Sequence, residues 1–196
     1  MASSAPALAS GAQMSQAPAQ NSSLPATPAP PLDPAIREFV AQELYKRYKL
    51  TRASMGSDTE SEKQKDASLQ ETWESLPEHL KASTRAQADD IPRKLQLLGY
   101  SMTNGGENIA VGRERLEKFT AEQLEYLGEV EHDRWVAERI RSGWQASGQR
   151  NSSTQQTPFF VPYAELEQKW KDVDKFMVDG IPEILGRSGY RIHRNI

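Results

Sequence analysis

The chain has 196 residues, with 24 Lys and Arg against 27 Asp and Glu and a formal net charge of -3 at pH 7. That length suits one ordinary domain or two small ones, and the charge gives no global pull toward nucleic acid or an anionic membrane. With no cysteine and three scattered histidines, disulfides, thiolate metal sites and cysteine nucleophiles are excluded, and neither a metal site nor a bound cofactor is expected.

Residues 1–33 are Ala, Ser, Pro and Gln with almost nothing large and apolar, and the first charged side chain is Asp33. Such a segment buries too little surface to offset about 1–2 kcal/mol of backbone entropy per ordered residue, so a disordered arm is expected. It lacks the basic start and apolar stretch of a secretory signal, the arginines of a mitochondrial presequence and the glycine that myristoylation requires. Nor does any apolar run approach the roughly 18 residues of a spanning helix. The expectation is a soluble, cytoplasmic protein without direct membrane insertion.

From Asp33 onward helical patterning begins, with Ile36, Val40, Leu44 and Tyr48 recurring every four residues. Residues 51–70 are polar and read as a long loop. Ala88, Ile91, Leu95 and Leu98 make a second helical stripe, closed by Gly99, and residues 101–108, with Asn104-Gly105-Gly106, read as a turn or linker. Leu116, Phe119, Leu124, Leu127 and Trp135 rebuild a helical face, followed by a polar loop at 145–157. Residues 159–163, Phe-Phe-Val-Pro-Tyr, are the best strand candidate. Val173, Met177, Ile181 and Leu185 form the last helix, ended by Gly189. The fold class is mainly α.

Sliding the chain by ninety residues lays Ile91-Pro92-x-x-Leu95-x-x-x-Gly99-Tyr100 on Ile181-Pro182-x-x-Leu185-x-x-x-Gly189-Tyr190. The same step places Trp73 on Tyr163, Leu76 on Leu166 and Tyr45 on Trp135. A helix, a long polar loop ending on an aromatic, and a second helix cannot close a core alone at this size, but two copies related by a pseudo-twofold can. The expected organisation is an arm (1–33), a first unit (34–104), a linker (105–121) and a second unit (122–196).

The second unit has the sharper pattern: Glu131-His132-x-x-Trp135, Gly143-Trp144-x-x-x-Gly148, Val161-Pro162-Tyr163-x-x-Leu166, Asp174, Ile181-Pro182 and Gly189-Tyr190. This order resembles the RyR domain, the short repeat that occurs in tandem pairs in ryanodine receptors and in some microbial proteins. The resemblance covers roughly 122–194, and more weakly 35–100 as a degenerate first repeat with Gln42 and Ser54 where the second has His132 and Trp144. It implies a non-catalytic, regulatory protein-interaction module in signalling. Calcium conduction does not transfer, because no pore accompanies the pair. Loops of such repeats in the receptors are phosphorylated, which makes Ser54 and Ser152, each two residues after an arginine, candidate phosphorylation sites.

On a helical wheel Leu124, Leu127, Glu131 and Trp135 share one arc, with His132 at its edge. One reading has Glu131 and His132 bonding the loop backbone and locking Trp135 and Trp144 in place. The other is a pocket in the second unit, with His132, Trp135, Arg139, Trp144 and Tyr163 as candidate ligand-binding residues. There flat aromatic faces and the charges of Arg134, Arg139 and Arg141 would take an anionic, nucleotide-like small molecule. No catalytic residue is assigned: Glu129, Glu131 and Asp133 diverge on a helix, and His132 belongs to no ordered triad or zinc-protease motif.

Overall fold

The computed structural model describes residues 31–54, 71–105 and 114–195. Nearly all of the expected arm, most of the 51–70 loop and the middle of the expected linker lie outside the described residues.

Asp33 opens the first helix, α1 (Pro34–Ser54), its Oδ1 accepting hydrogen bonds from the backbone amides of Ala35 and Ile36. The face carrying Val40, Ala41, Leu44 and Tyr45 is buried. After a turn that brings Trp73 against Tyr45, α2 (Glu78–Asp89) packs back along α1. Short α3 (Ile91–Leu97) and strand β1 (Tyr100–Asn104) follow. Thr120 and Gln123 form a reciprocal capping box at the start of α4 (Ala121–Arg141). The next loop contains a parallel pair of two-residue strands, β2 (Gln145–Ala146) and β3 (Gln156–Thr157). It ends in a 3-10 turn at Tyr163–Glu165, after which come α5 (Gln168–Asp179), α6 (Ile181–Arg187) and β4 (Tyr190–Arg194).

The protein is mainly α-helical, as the periodicity indicates. The order long helix, turn, helix, short helix, strand occurs twice, and α2, α3 and β1 begin ninety residues before α5, α6 and β4. The long helices do not keep that step. Pro34 opens the first and Ala121 the second, three residues short of ninety, so Tyr48 rather than Tyr45 holds the helix position of Trp135. By the same count Tyr45, not Gln42, holds that of His132.

Three local readings are corrected. The stripes through Ile91 and Ile181 are not continuous helices. Each breaks one residue earlier, at Asp90 and at Gly180, and restarts with proline in the first turn, where its missing N–H costs no hydrogen bond. Residues 101–104 are strand rather than turn. Gly99 and Gly189, at φ 77° and 88°, reverse the chain out of α3 and α6. The strands that follow pair antiparallel, with Tyr100 opposite Arg194, Met102 opposite Ile192 and Asn104 opposite Tyr190. Residues 159–162 form no strand, because the Val161 carbonyl is occupied by a histidine side chain rather than a neighbouring strand.

One core runs through both halves, from Val40, Leu44 and Leu80 to Ile91, Leu95, Leu127, Met177 and Leu185. Among the described residues, no helix is long and apolar enough to cross a membrane.

Candidate functional site

Between α1 and α2 on one side and α4, the 145–162 loop and α5 on the other lies a cleft of about 130 Å³. That volume is close to what a six-membered aromatic ring needs. The first half contributes Tyr45, Tyr48, Leu80, Ser83, Thr84 and Gln87. Trp135, Arg139, Trp144, Phe159, Trp170 and Asp174 come from the second. The cleft is therefore shared by the two halves, whereas the sequence places a pocket in the second unit alone.

Its aromatic wall follows from helix geometry. His132, Trp135 and Arg139 rise along one side of α4 at three- and four-residue spacing. The rings of His132 and Trp135 lie nearly parallel, 6.3 Å between centroids, and Phe159 and Phe160 stand 6.4 and 6.1 Å from Trp135. Phe159 also meets Trp170 at 4.4 Å. The Arg139 guanidinium sits 5.5 Å from the Trp135 ring and 4.5 Å from the Trp144 ring, between the two indoles.

Arg139 is 7% exposed, yet among the described residues its side-chain Nε finds no hydrogen-bond acceptor. Its counter-charge is Glu138, 3.7 Å away. Both Glu138 oxygens are already engaged, accepting from Ser83 Oγ across the cleft at 2.8 Å and from Ser142 Oγ at 2.9 Å. Burial pulls the pKa of Arg139 below its ordinary value, Glu138 opposes that shift, and the nearby Arg150 adds to it. The buried Trp144 Nε1 likewise has no acceptor. A buried guanidinium Nε and a buried indole N–H left without hydrogen-bond acceptors are costly and rare in native proteins.

At the other end of the stripe His132 donates from Nε2 to the Val161 carbonyl at 2.8 Å and turns Nδ1 toward Asp174, 3.6 Å away. Burial alone would disfavour protonating His132, but Asp174 and the Val161 carbonyl outweigh it and raise its pKa. Burial, and then Glu131, raise Asp174 to about 6 despite His132.

Among the described residues, Glu131 bonds side chains and not the loop backbone. It accepts two-pronged bonds from Arg134 at 2.8–3.2 Å and pairs with Lys94 Nζ at 2.8 Å. Lys94, 1% exposed, comes from α3 and also holds Asp90 at 2.7 Å. Burial works against the charge on Glu131, but Arg134 and Lys94 prevail and hold its carboxyl down at about 2. This network ties the two halves together beside the cleft.

Of the five candidate residues, the structure brings His132, Trp135, Arg139 and Trp144 to the cleft. Tyr163 lies behind it, tilted against His132 at 6.0 Å, and Arg141 turns back to the Ala137 carbonyl. Ser152 lines the cleft, whereas Ser54 is exposed at the end of α1. Glu129 and Asp133 are exposed while Glu131 is buried. Asp174 lines the cleft one turn after Trp170 on α5, and that four-residue spacing was the available signal for both. Nothing in the local pattern signalled Tyr48 or Ser83, because the halves meet only in the folded chain.

The element order, the Gly-Trp step after α4 and the Ile-Pro start of α6 coincide with a family match over residues 109–194, to the RyR domain. This segment is similar to an RyR domain. The match begins beyond the first half, so the arginine-and-indole end of the cleft lies in the matched segment, and α1 and α2 supply the facing wall. No curated protein matches the chain.

Proposed function

We propose that this RyR-domain protein is a non-catalytic binding module whose cleft takes a small anionic molecule with a flat ring. The carrying observation is Arg139: buried, flanked by Trp135 and Trp144, with its Nε unpaired among the described residues. An anion there would supply the missing acceptors, and the indole N–H of Trp144 offers a further donor. The clustered rings give a flat molecule stacking faces, which suits a nucleotide-like ligand as well as a simpler aromatic acid.

The same reading makes residues 34–104 a diverged second RyR unit related to the first by an approximate twofold. Two hydrogen bonds support this. Gly105 N donates to Gly189 O at 2.7 Å, and Asn195 N donates to Gly99 O at 2.8 Å, each the other's counterpart under the ninety-residue step. A ligand bridging the two units would fix their relative position, and a protein partner docked on the pair would sense that position. This joins the small-molecule and protein-interaction readings in one regulatory module.

The test is thermal unfolding with benzenesulfonate, a single ring carrying a permanent anion. The expected result is a saturable rise in melting temperature that disappears in Arg139→Gln, with helical content unchanged by circular dichroism. No rise in the unmodified protein, or an equal rise in the variant, would sink the proposal.

A further inference from the structure

The cleft is electrically lopsided. Its α4 wall runs from His132, which faces Asp174 of α5 at 3.6 Å, through the Trp135 ring, to Arg139 between the two indoles. The seven helical steps from His132 to Arg139 span about 10 Å at 1.5 Å per residue. With side chains reaching in at both ends, that length leaves room for one ring with a substituent on either side. Arg139 is a donor without an acceptor at one end. Asp174, its side chain 19% exposed, is an acceptor at the other, with His132 Nδ1 3.6 Å away, longer than an ordinary hydrogen bond.

We infer that Asp174 is a specificity-determining residue of the cleft, selecting a ligand whose flat ring carries an N–H donor opposite its anionic group. This rests on the anion-binding reading of Arg139 and adds the chemistry of the far end. The ligand class is an amino-substituted aromatic or heteroaromatic acid. A ring bearing a carbonyl or a bare C–H at that position leaves a partly buried carboxylate unsatisfied, and sites built on such a group discriminate strongly.

The assignment fixes a pH dependence. The charged or titratable groups around Asp174 are His132, Glu131 and Arg134 from α4 and Tyr163 from the 3-10 turn. From α2, Ser83, Thr84 and Gln87 face the cleft and are uncharged. Because Nε2–H of His132 donates a hydrogen bond to the Val161 carbonyl, only a protonated imidazole places a second N–H opposite Asp174. At neutral pH Asp174 accepts. On acidification it takes a proton and becomes a donor itself, and the preference for an amino group fades.

The experiment is calorimetric titration of the full chain at pH 7.5 with 4-aminobenzenesulfonate and with benzenesulfonate. These probes share one ring and one permanent anion and differ only in the amine. The expected result is at least tenfold tighter binding of the amino compound, as for a hydrogen bond to a charged group. That ratio should fall to within about threefold in Asp174→Asn and, in the unmodified protein, at pH 5.0, where the aromatic amine is still neutral. Equal binding of both probes at pH 7.5 would overturn the role of Asp174 while leaving the anion site of Arg139 standing. Failure of both probes to bind would overturn both. A preference that persists in Asp174→Asn and at pH 5.0 would place the amine elsewhere and overturn the assignment.

Discussion

Replacing Glu131 by glutamine should cost about 3 kcal/mol of folding stability at pH 7. The carboxyl is held at about 2 against an ordinary 4.5, and each pKa unit corresponds to about 1.36 kcal/mol of preference for the charged form in the folded state. Because the folded-state pKa is depressed, this stability is fully present above about pH 4.5 and is lost as the pH falls toward 2. An independent argument gives a similar size, since removing one partner of a buried ion pair typically costs about 3–5 kcal/mol. Lys94 would keep Asp90, but Arg134 would lose its two-pronged carboxylate. The assay is urea unfolding at pH 7 and pH 3, with the midpoint expected to fall at unchanged slope and the difference from the parent to shrink at pH 3. Glu131→Gln combined with Lys94→Met should cost less than the two single changes added together, because both act through one contact. A loss below about 1 kcal/mol at pH 7, or strict additivity, would show that the buried network does not hold the halves together.

Lowering the pH from 7.5 to 5.5 should stabilise the protein through Asp174. Its folded-state pKa is raised to about 6, so its contribution is full below about 3.8 and declines as the pH climbs through 6. The gain across that interval is about 1 kcal/mol, or a rise of about 2–4 °C by calorimetry, reduced in Asp174→Asn. His132, also raised, pushes in the same direction, and since Asp174 is the first of the groups that raise it, Asp174→Asn should remove most of the rise. Gly128→Ala should destabilise by about 1–3 kcal/mol despite the better helix propensity of alanine. Its Cβ would stand 2.8 Å from Tyr163 Oη and 2.9 Å from Lys175 Cγ. Tyr163→Phe in that background should recover part of the loss, and chemical unfolding of the single and double variants checks this.

Much of the helical framework was legible because each buried face repeats at helical spacing, as with Val40, Leu44 and Tyr48 or Leu124 and Leu127. The two helix breaks were not, since the apolar stripe continues through Asp90 and Gly180 and only the prolines mark the restart. β1 was hidden for another reason: Tyr100–Asn104 is strand because Tyr190–Arg194 lies alongside, a partner ninety residues away. At the site, His132, Trp135, Arg139 and Trp144 stand out as aromatic and basic residues at helical or loop-motif spacing, and they do meet at one cleft. The facing wall from α1 and α2 was invisible in the second unit's own sequence. So was the true partner of Glu131, since Lys94 belongs to the other half. Tyr163 has the right chemistry but spends its face on His132 and its hydroxyl on the space above Gly128.

The central claim is that an anion enters between Trp135 and Trp144 and is held by Arg139. The four tryptophans give four indole N–H signals in a proton–nitrogen correlation spectrum. Titration with benzenesulfonate should move the Trp144 signal most, because its N–H lies buried without an acceptor, and should move the Trp135 signal with the same saturation curve. The Trp73 signal should stay in place, since its indole already donates to Glu38 at 2.9 Å. A Trp144 signal that stays fixed at saturating probe, or four signals that drift together without saturating, would contradict the account.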